Sequence, residues 1–119
     1  MAKYLLQGSY TVEGLRGVLR EGGTKRREAV AQLVQALGGS LETFYYAYGG
    51  DDFFIIVDMP DSATATAASL AVNATGAVQF KTIVLITPEE VDAAVRKTVA
   101  YRPPGPRLAA PVSGTRDKT

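Results

Sequence analysis

The 119-residue sequence predicts an α+β domain of the ferredoxin-like class, a four-stranded antiparallel sheet with helices on one face. Strand-like and helix-like periodicities follow one another as strand, helix, strand, strand, helix, strand, which is the split βαβ arrangement. The length fits one domain with a core of its own. An additional short helix is predicted after the fourth strand.

The first part of the chain predicts a strand followed by an interrupted helix. Apolar and polar residues alternate over 3–10, as in a half-buried strand. Thr11 is a candidate N-cap for a short helix that ends at Gly22 and Gly23. Apolar residues at helical spacing predict that the helix restarts and runs over 24–37.

The middle of the chain predicts an aromatic hairpin and a second crossover helix. Strands are predicted over 40–48 and 53–59, joined by a turn at 49–52. Asp61 is a candidate cap for an alanine-rich helix that ends near residue 74, and 78–86 predicts the fourth strand. The helix and the flanking strands complete the second βαβ half.

The last part of the chain predicts a capped helix and a tail. Thr87, Pro88 and Glu90 form a capping box with proline at the first helical position. Prolines are frequent from Tyr101 onward, as in extended linkers. We therefore assign a ferredoxin-like domain to residues 1–99 and a proline-rich, flexible tail to residues 100–119.

Both faces of the predicted sheet are apolar. An antiparallel sheet with one wet face alternates apolar and polar residues, yet Phe53 and Ile55 alternate with Phe54 and Ile56 in the third strand. Burying one such side chain contributes about 1.5–3 kcal/mol. We therefore expect a second copy to cover the helix-free face in a dimeric α/β-barrel association, with room for a ligand between the sheets.

Composition excludes several classes of chemistry. The chain has no cysteine and no histidine, which excludes disulfides, thiolate nucleophiles, Cys/His zinc sites and imidazole triads. We expect no metal site and no cofactor. Beyond Val99, four basic residues and one acidic residue leave nine basic and eleven acidic residues before them. Because a nucleic-acid interface needs a basic face on the domain itself, no nucleic-acid partner is expected.

Targeting signals are not evident in the sequence. No apolar run approaches the length that crosses a bilayer. The opening residues lack the regions of a signal peptide. We therefore expect a cytoplasmic protein without a membrane partner.

The stretch TFYYAYGGDDFF contains six of the ten aromatic residues. Its main interpretation is a hairpin whose rings bury the sheet faces. Tyrosine hydroxyls in an apolar pocket also suit ligand binding, so Tyr10, Tyr46 and Tyr48 are the candidate ligand-binding residues. Asp51 and Asp52 are adjacent in the turn and are interpreted as turn residues rather than an acid–base pair.

Five basic residues lie around the Gly22-Gly23 break, before and inside the start of a predicted helix. Such a cluster can bind anions. The alternative is a solvated face paired with nearby glutamates. The five residues are Arg16, Arg20, Lys25, Arg26 and Arg27.

Several short motifs follow one another over residues 2–96: YLLQGSYTVEG, KR, ALGG, FYYAYG, DMPD and TPEE. In this order they resemble the GYD family of small bacterial proteins. The resemblance implies a ferredoxin-like fold and oligomers. One position departs from the family pattern, since Asp51 stands where the family's name has tyrosine and Asp52 holds the aspartate, so no role is carried over to Asp51.

Three functions are consistent with these features. The first is a small oligomeric binding or regulatory module for a small organic ligand, which we favour. The second is an enzyme of the cofactor-independent monooxygenase or isomerase type found among dimeric α/β barrels, which rests on fold analogy alone. The third is a structural assembly protein.

Overall fold

The computed structural model describes residues 1–105, which form four strands and four helices. In chain order these are β1 (Ala2–Tyr10), α1 (Val12–Glu21), α2 (Gly23–Ala36), β2 (Ser40–Tyr46), β3 (Phe53–Met59), α3 (Ser62–Ala74), β4 (Val78–Leu85) and α4 (Pro88–Val95). The predicted α+β, ferredoxin-like order is confirmed.

The sheet has the order β2-β3-β1-β4, and every neighbouring pair is antiparallel. The first strand of the chain is therefore central, between β3 and β4. Tyr4 pairs with Val57 on one side and with Val84 on the other.

A bulge in β2 changes which of its side chains share a face. The pairing with β3 shifts between Leu41 and Thr43. A bulge inserts one extra residue and so reverses the alternation beyond it. Leu41 therefore lies on the same face as Phe44 and Tyr46, whereas uninterrupted alternation predicts opposite faces.

The helices of the crossovers cover one face of the sheet. α2 packs mainly on the edge strand β2 and α3 on the other edge strand β4. Each begins differently: the Asp61 side chain accepts a hydrogen bond from the Thr64 N–H at 2.7 Å, whereas α2 follows Gly22, which has a positive φ of 87°. The core between helices and sheet consists of Tyr4, Val34, Phe53, Ile55, Val57, Met59, Ala65 and Val78.

The opposite side of the sheet, which we call the second face, is apolar in the middle and polar at the ends of its strands. Leu5 is paired with Ile56 in β3 and with Ile83 in β4. At one of these ends the Lys3 ammonium contacts Glu42 and lies 3.1 Å from Asp58. The apolar side chains of this face are Leu5, Tyr45, Phe54, Ile56, Ile83 and Leu85.

A second compact unit begins at Ile86, after the sheet unit Met1–Leu85. In it, α4 starts with the predicted capping box: Thr87 Oγ1 accepts from the Glu90 N–H at 3.1 Å, and Glu90 Oε1 accepts from the Thr87 N–H at 2.8 Å. Most of the predicted tail, residues 106–119, lies outside the described residues, and the domain boundary at residue 99 stays a prediction. Within residues 1–105 no helix is long and apolar enough to cross a membrane.

Candidate functional site

A cavity of about 90 Å³ lies between the sheet and the two helices α2 and α3. It exists because the two helices lie over the outer strands and leave the central strands β1 and β3 less covered. Ten of its lining residues come from the sheet: Tyr4, Leu6, Tyr10, Phe44, Phe53, Ile55, Val57, Met59, Val78 and Phe80. Eight come from the helices: Arg26, Val30, Leu33, Val34, Ala65, Ala68, Ser69 and Val72.

Small side chains on α3 form one wall of the cavity. Ala65, Ala68 and Ser69 follow each other at helical spacing. The Ser69 hydroxyl bonds the Ala65 carbonyl at 2.9 Å and the Thr82 hydroxyl at 2.6 Å, so it is already satisfied. Among the described residues no buried side-chain nitrogen or oxygen lacks a hydrogen-bond partner. The interior therefore suits an apolar group, because it leaves no unpaired polar atom to be matched.

Two polar side chains of the cavity, Tyr10 and Arg26, lie at one end, whereas the hydroxyls of Tyr4 and Ser69 belong to its body. β1 and β3 pair from Ala2 with Met59 at one end to Gly8 with Phe53 at the other, and Tyr10 follows this second end. Arg26, in the first turn of α2, lines the cavity here, and its Nη1 lies 3.4 Å from the Glu21 carboxylate. The cavity thus has a largely apolar body and a polar end.

Aromatic rings hold this polar end in place. The Tyr10 ring contacts Phe53 with centroids 5.3 Å apart, and Tyr46 lies 5.0 Å from Phe44 and 5.9 Å, stacked, from Tyr48. Such pairs contribute about 0.5–1.5 kcal/mol beyond the area they bury. Ring packing therefore fixes Tyr10 on one side of this aromatic cluster and Tyr46 on the other.

Gly8 in β1 permits the close approach of β1 and β4. It is paired with Phe53 in β3 and with Phe80 in β4, and those two rings meet edge to face above it at 6.3 Å. A Cβ atom at Gly8 would overlap the Gln79 carbonyl oxygen. The pairing of β1 with β4 next to Tyr10 therefore requires glycine at this position.

The tyrosines of the polar end are hydrogen-bond donors rather than bases. Burial raises the pKa of Tyr10 well above its ordinary value, and the neighbouring Tyr46 raises it further, while Arg26 acts in the opposite direction. The Tyr46 hydroxyl donates to the Gly23 carbonyl at 3.1 Å. The raised pKa makes Tyr10 a weaker acid than an ordinary tyrosine, so its hydroxyl, which is hydrogen-bonded to Tyr46, stays a donor at this end of the cavity.

The structure brings the three predicted tyrosines together, but it corrects the face on which we expected them. Tyr10 and Tyr46 pack against the core beneath the helices, not on the second face between sheets. Tyr46 lies on this face because it pairs with buried Phe53, and Tyr10 lies there because it shares its side of β1 with buried Tyr4. Tyr48 stacks on Tyr46 and is 63% exposed, so it lies at the outside of the cluster.

The predicted basic cluster divides into one cavity residue and four exposed ones. Arg26 is half-buried and lines the cavity. The exposed residues are Arg16, Arg20, Lys25 and Arg27. The pair between Arg26 and Glu21 follows the alternative interpretation, in which glutamates neutralise this face.

The two aspartates of the turn bind other parts of the chain. Asp52 accepts from the Tyr10 backbone N–H at 3.0 Å, and its own N–H donates to the Gly8 carbonyl at 2.7 Å. Asp51 accepts from the Gln7 side chain at 2.8 Å. Their directions differ, as expected for turn residues, and the described residues contain no cluster of three or more acidic residues that could hold a metal.

The sequence analysis did not identify the α3 wall or the place of Arg26 beside Tyr10. A signal was present in α3, where Ala65, Ala68, Ser69 and Val72 share one helical face. A stripe of small residues predicts close helix packing as readily as it predicts a cavity, so the pattern alone could not distinguish the two.

Comparison with known proteins gives one match. The family model of the GYD domain matches residues 4–95, which is most of the chain. Neither the curated proteins nor the solved structures compared with it give a significant match. The matched segment includes the cavity, α4 and all of the sheet except the first two residues of β1, and the chain therefore belongs to the GYD domain family.

Proposed function

We propose that the protein is an oligomeric binding module that holds a small organic molecule in the cavity between the sheet and helices α2 and α3. The observation that carries this proposal is the form of the cavity: an apolar body with Tyr10 and Arg26 at one end. Ligand sites combine an apolar lining with a few polar groups that orient the ligand. This replaces the space between two sheets as the place of the ligand.

Binding is favoured over catalysis by the residues that line the cavity. Arg26 is the one charged residue among the lining residues of the described chain, and none of them is a carboxylate or a lysine. Burial raises the pKa of Tyr10 further above its ordinary value, which already lies above neutral pH, so Tyr10 is a poor base precursor. General-base chemistry needs a group whose pKa lies near the working pH, and the lining provides none.

The oligomer of this proposal is formed through the second face. Its apolar centre includes Tyr45, which is 69% exposed, and Ile83. Large contiguous apolar patches are uncommon on monomeric proteins. Two copies of a sheet with the same apolar centre and polar edges are complementary in character, and a second copy is always present at the concentration of the first.

The cavity is tested by filling it. Ala68→Leu adds three carbon atoms to the lining, and Ala67→Leu adds the same atoms at an exposed neighbouring position of α3. Purified wild-type protein and both variants are analysed by mass spectrometry for retained small molecules, and by NMR titration with 1-hexanol as a probe.

The proposal expects wild type and Ala67→Leu to bind alike and Ala68→Leu to lose binding while remaining folded. Absence of both a retained molecule and 1-hexanol binding in wild type would overturn it. Binding that survives unchanged in folded Ala68→Leu would place the ligand elsewhere and equally overturn it.

A further inference from the structure

We infer that the ligand of the cavity is a small monocarboxylate, with its apolar group in the body and its carboxylate between Arg26 and Tyr10. The inference rests on the proposed function and adds the chemical class of the ligand. It is carried by the position of one positive charge near one tyrosine hydroxyl at the same end of a largely apolar site.

Arg26 selects the sign of the ligand's charge. It is the charged member of the described lining, and a cationic ligand would be repelled by it. A guanidinium presents several N–H donors in a planar fork that matches the two oxygens of a carboxylate. A carboxylate is therefore the small organic group that best fits this residue.

The present partner of Arg26 can be replaced. Glu21 lies 3.4 Å from its Nη1, and the two side chains are 48% and 35% exposed. Exposed ion pairs of this kind contribute little to stability. A ligand carboxylate that reaches Arg26 from the less solvated cavity side can take the place of Glu21 at small cost to the fold.

Tyr10 supplies a second contact for the same group. Its ring is fixed against Phe53 at 5.3 Å, at the end of the cavity that Arg26 lines. A protonated phenol donates a hydrogen bond, and an ionised carboxylate accepts without donating. Tyr10 and Arg26 together therefore favour a carboxylate over an amine.

The cavity volume restricts the apolar part of the ligand. About 90 Å³ is smaller than the ~150 Å³ of an engineered apolar cavity that takes up benzene. A narrow aliphatic chain that lies only partly inside the cavity meets this limit, and its remaining carbons and head group extend toward Arg26. Hexanoate and 1-hexanol are matched probes, because they share the six-carbon chain and differ in the charged group.

The test measures both probes by NMR titration against four forms of the full chain: wild type, Arg26→Gln, Arg27→Gln and Glu21→Gln. Arg27 is the matched control, since it follows Arg26 in α2 but is exposed and does not line the cavity. We expect Arg26→Gln to weaken hexanoate about tenfold or more, as for loss of a charge-assisted contact, and to leave 1-hexanol unchanged.

Arg27→Gln should change hexanoate binding by no more than about twofold, and Glu21→Gln should strengthen it because the competing carboxylate is gone. If Arg26→Gln is poorly folded by circular dichroism, Arg26→Lys replaces it, with a smaller loss expected because lysine lacks the planar fork.

The outcomes separate this inference from the proposed function. Binding of 1-hexanol with hexanoate no tighter than 1-hexanol, or with hexanoate insensitive to Arg26→Gln, overturns the carboxylate and leaves the binding module. Equal losses in Arg26→Gln and Arg27→Gln also overturn it, since they indicate a general effect of charge. Failure of both probes to bind wild type overturns the proposed function itself.

Discussion

The two faces of the sheet are built from neighbouring residues but perform different tasks. Phe53 is buried beneath the helices and contacts Tyr10 and Phe80. Phe54, the next residue, lies on the second face beside Gln7 and Tyr45. One face is completed within the chain and encloses the cavity, whereas the other has an apolar centre that a second copy covers in the oligomer we propose.

The difference shows that an apolar strand residue does not by itself indicate its role. Residues of the covered face stabilise the monomer and shape the site. Residues of the second face are expected to act through association. Substitutions at adjacent positions should therefore have consequences of different kinds, and this can be measured.

The largest effect is expected from Phe53→Ala. Removal of a buried phenylalanine lowers the free energy of unfolding by about 3–5 kcal/mol, and Phe53 is 3% exposed. Phe54→Ala is the matched control, with a smaller loss that increases with protein concentration, because weaker association costs stability only where the wild type associates. Thermal and urea unfolding at two protein concentrations measure both. Equal, concentration-independent losses would show that the two faces do not differ in the proposed way.

Ile56→Lys is expected to disrupt the oligomer and to spare the fold. Ile56 lies at the middle of the second face, between Leu5 and Thr43. A lysine here would place a charge in the contact surface of each copy. We expect the dissociation constant of the oligomer to increase about 100-fold or more, equivalent to ~2.8 kcal/mol. Sedimentation velocity at micromolar concentration measures it, with exposed Ala67→Lys as the control. A wild type that sediments as a monomer would contradict the association itself.

Much of the fold could be predicted because its signals are local. Capping boxes, glycine breaks and alternating strands depend on residues a few positions apart, and Thr87 with Glu90 behaves as predicted. The β2 bulge could not be predicted, since it is defined by the pairing of Leu41 and Thr43 with a different strand. The three tyrosines were identified, but the face on which Tyr10 and Tyr46 lie depends on how their strands pair with distant ones.

The cavity is harder to predict from the sequence than the strands and helices are. It arises from the separation of α2 and α3 above the central strands, and helix separation depends on the sum of many contacts. Arg26 belonged to a predicted basic cluster, yet its four neighbours in that cluster are exposed. The rotation of the helix on the sheet decides which member of a charged cluster turns inward. The composition of the cluster does not specify that rotation.

Tyr46→Phe should produce a modest effect on the covered side. Loss of its hydrogen bond to the Gly23 carbonyl should lower the free energy of unfolding by about 0.5–1.5 kcal/mol. Tyr48→Phe is the control, since its side chain is largely exposed and its ring stacking is retained. Urea unfolding compares the two. A larger loss in Tyr48→Phe would move the anchoring hydroxyl to the outside of the cluster.

The smallest effect concerns the acid sensitivity of α3, the helix that forms the small-residue wall. Hydrogen bonds from Thr64 lower the pKa of the Asp61 carboxyl below its ordinary 3.8. Because the folded pKa is the lower one, this carboxylate stabilises the fold above about pH 4 and loses its contribution as pH falls through the lowered folded value. Asp61→Asn should remove this part of the acid dependence, measured by thermal unfolding between pH 2 and 6 against the exposed control Glu89→Gln.

The central position of β1 has a consequence for how the protein is synthesised. β1 leaves the ribosome first, but its two neighbours are β3 and β4, which end at Met59 and Leu85. Pairings between distant segments slow folding, since long loops must close before they form. The four-stranded sheet cannot exist before Leu85 has been translated, and β1 is without either of its final neighbours until β3 has been completed at Met59.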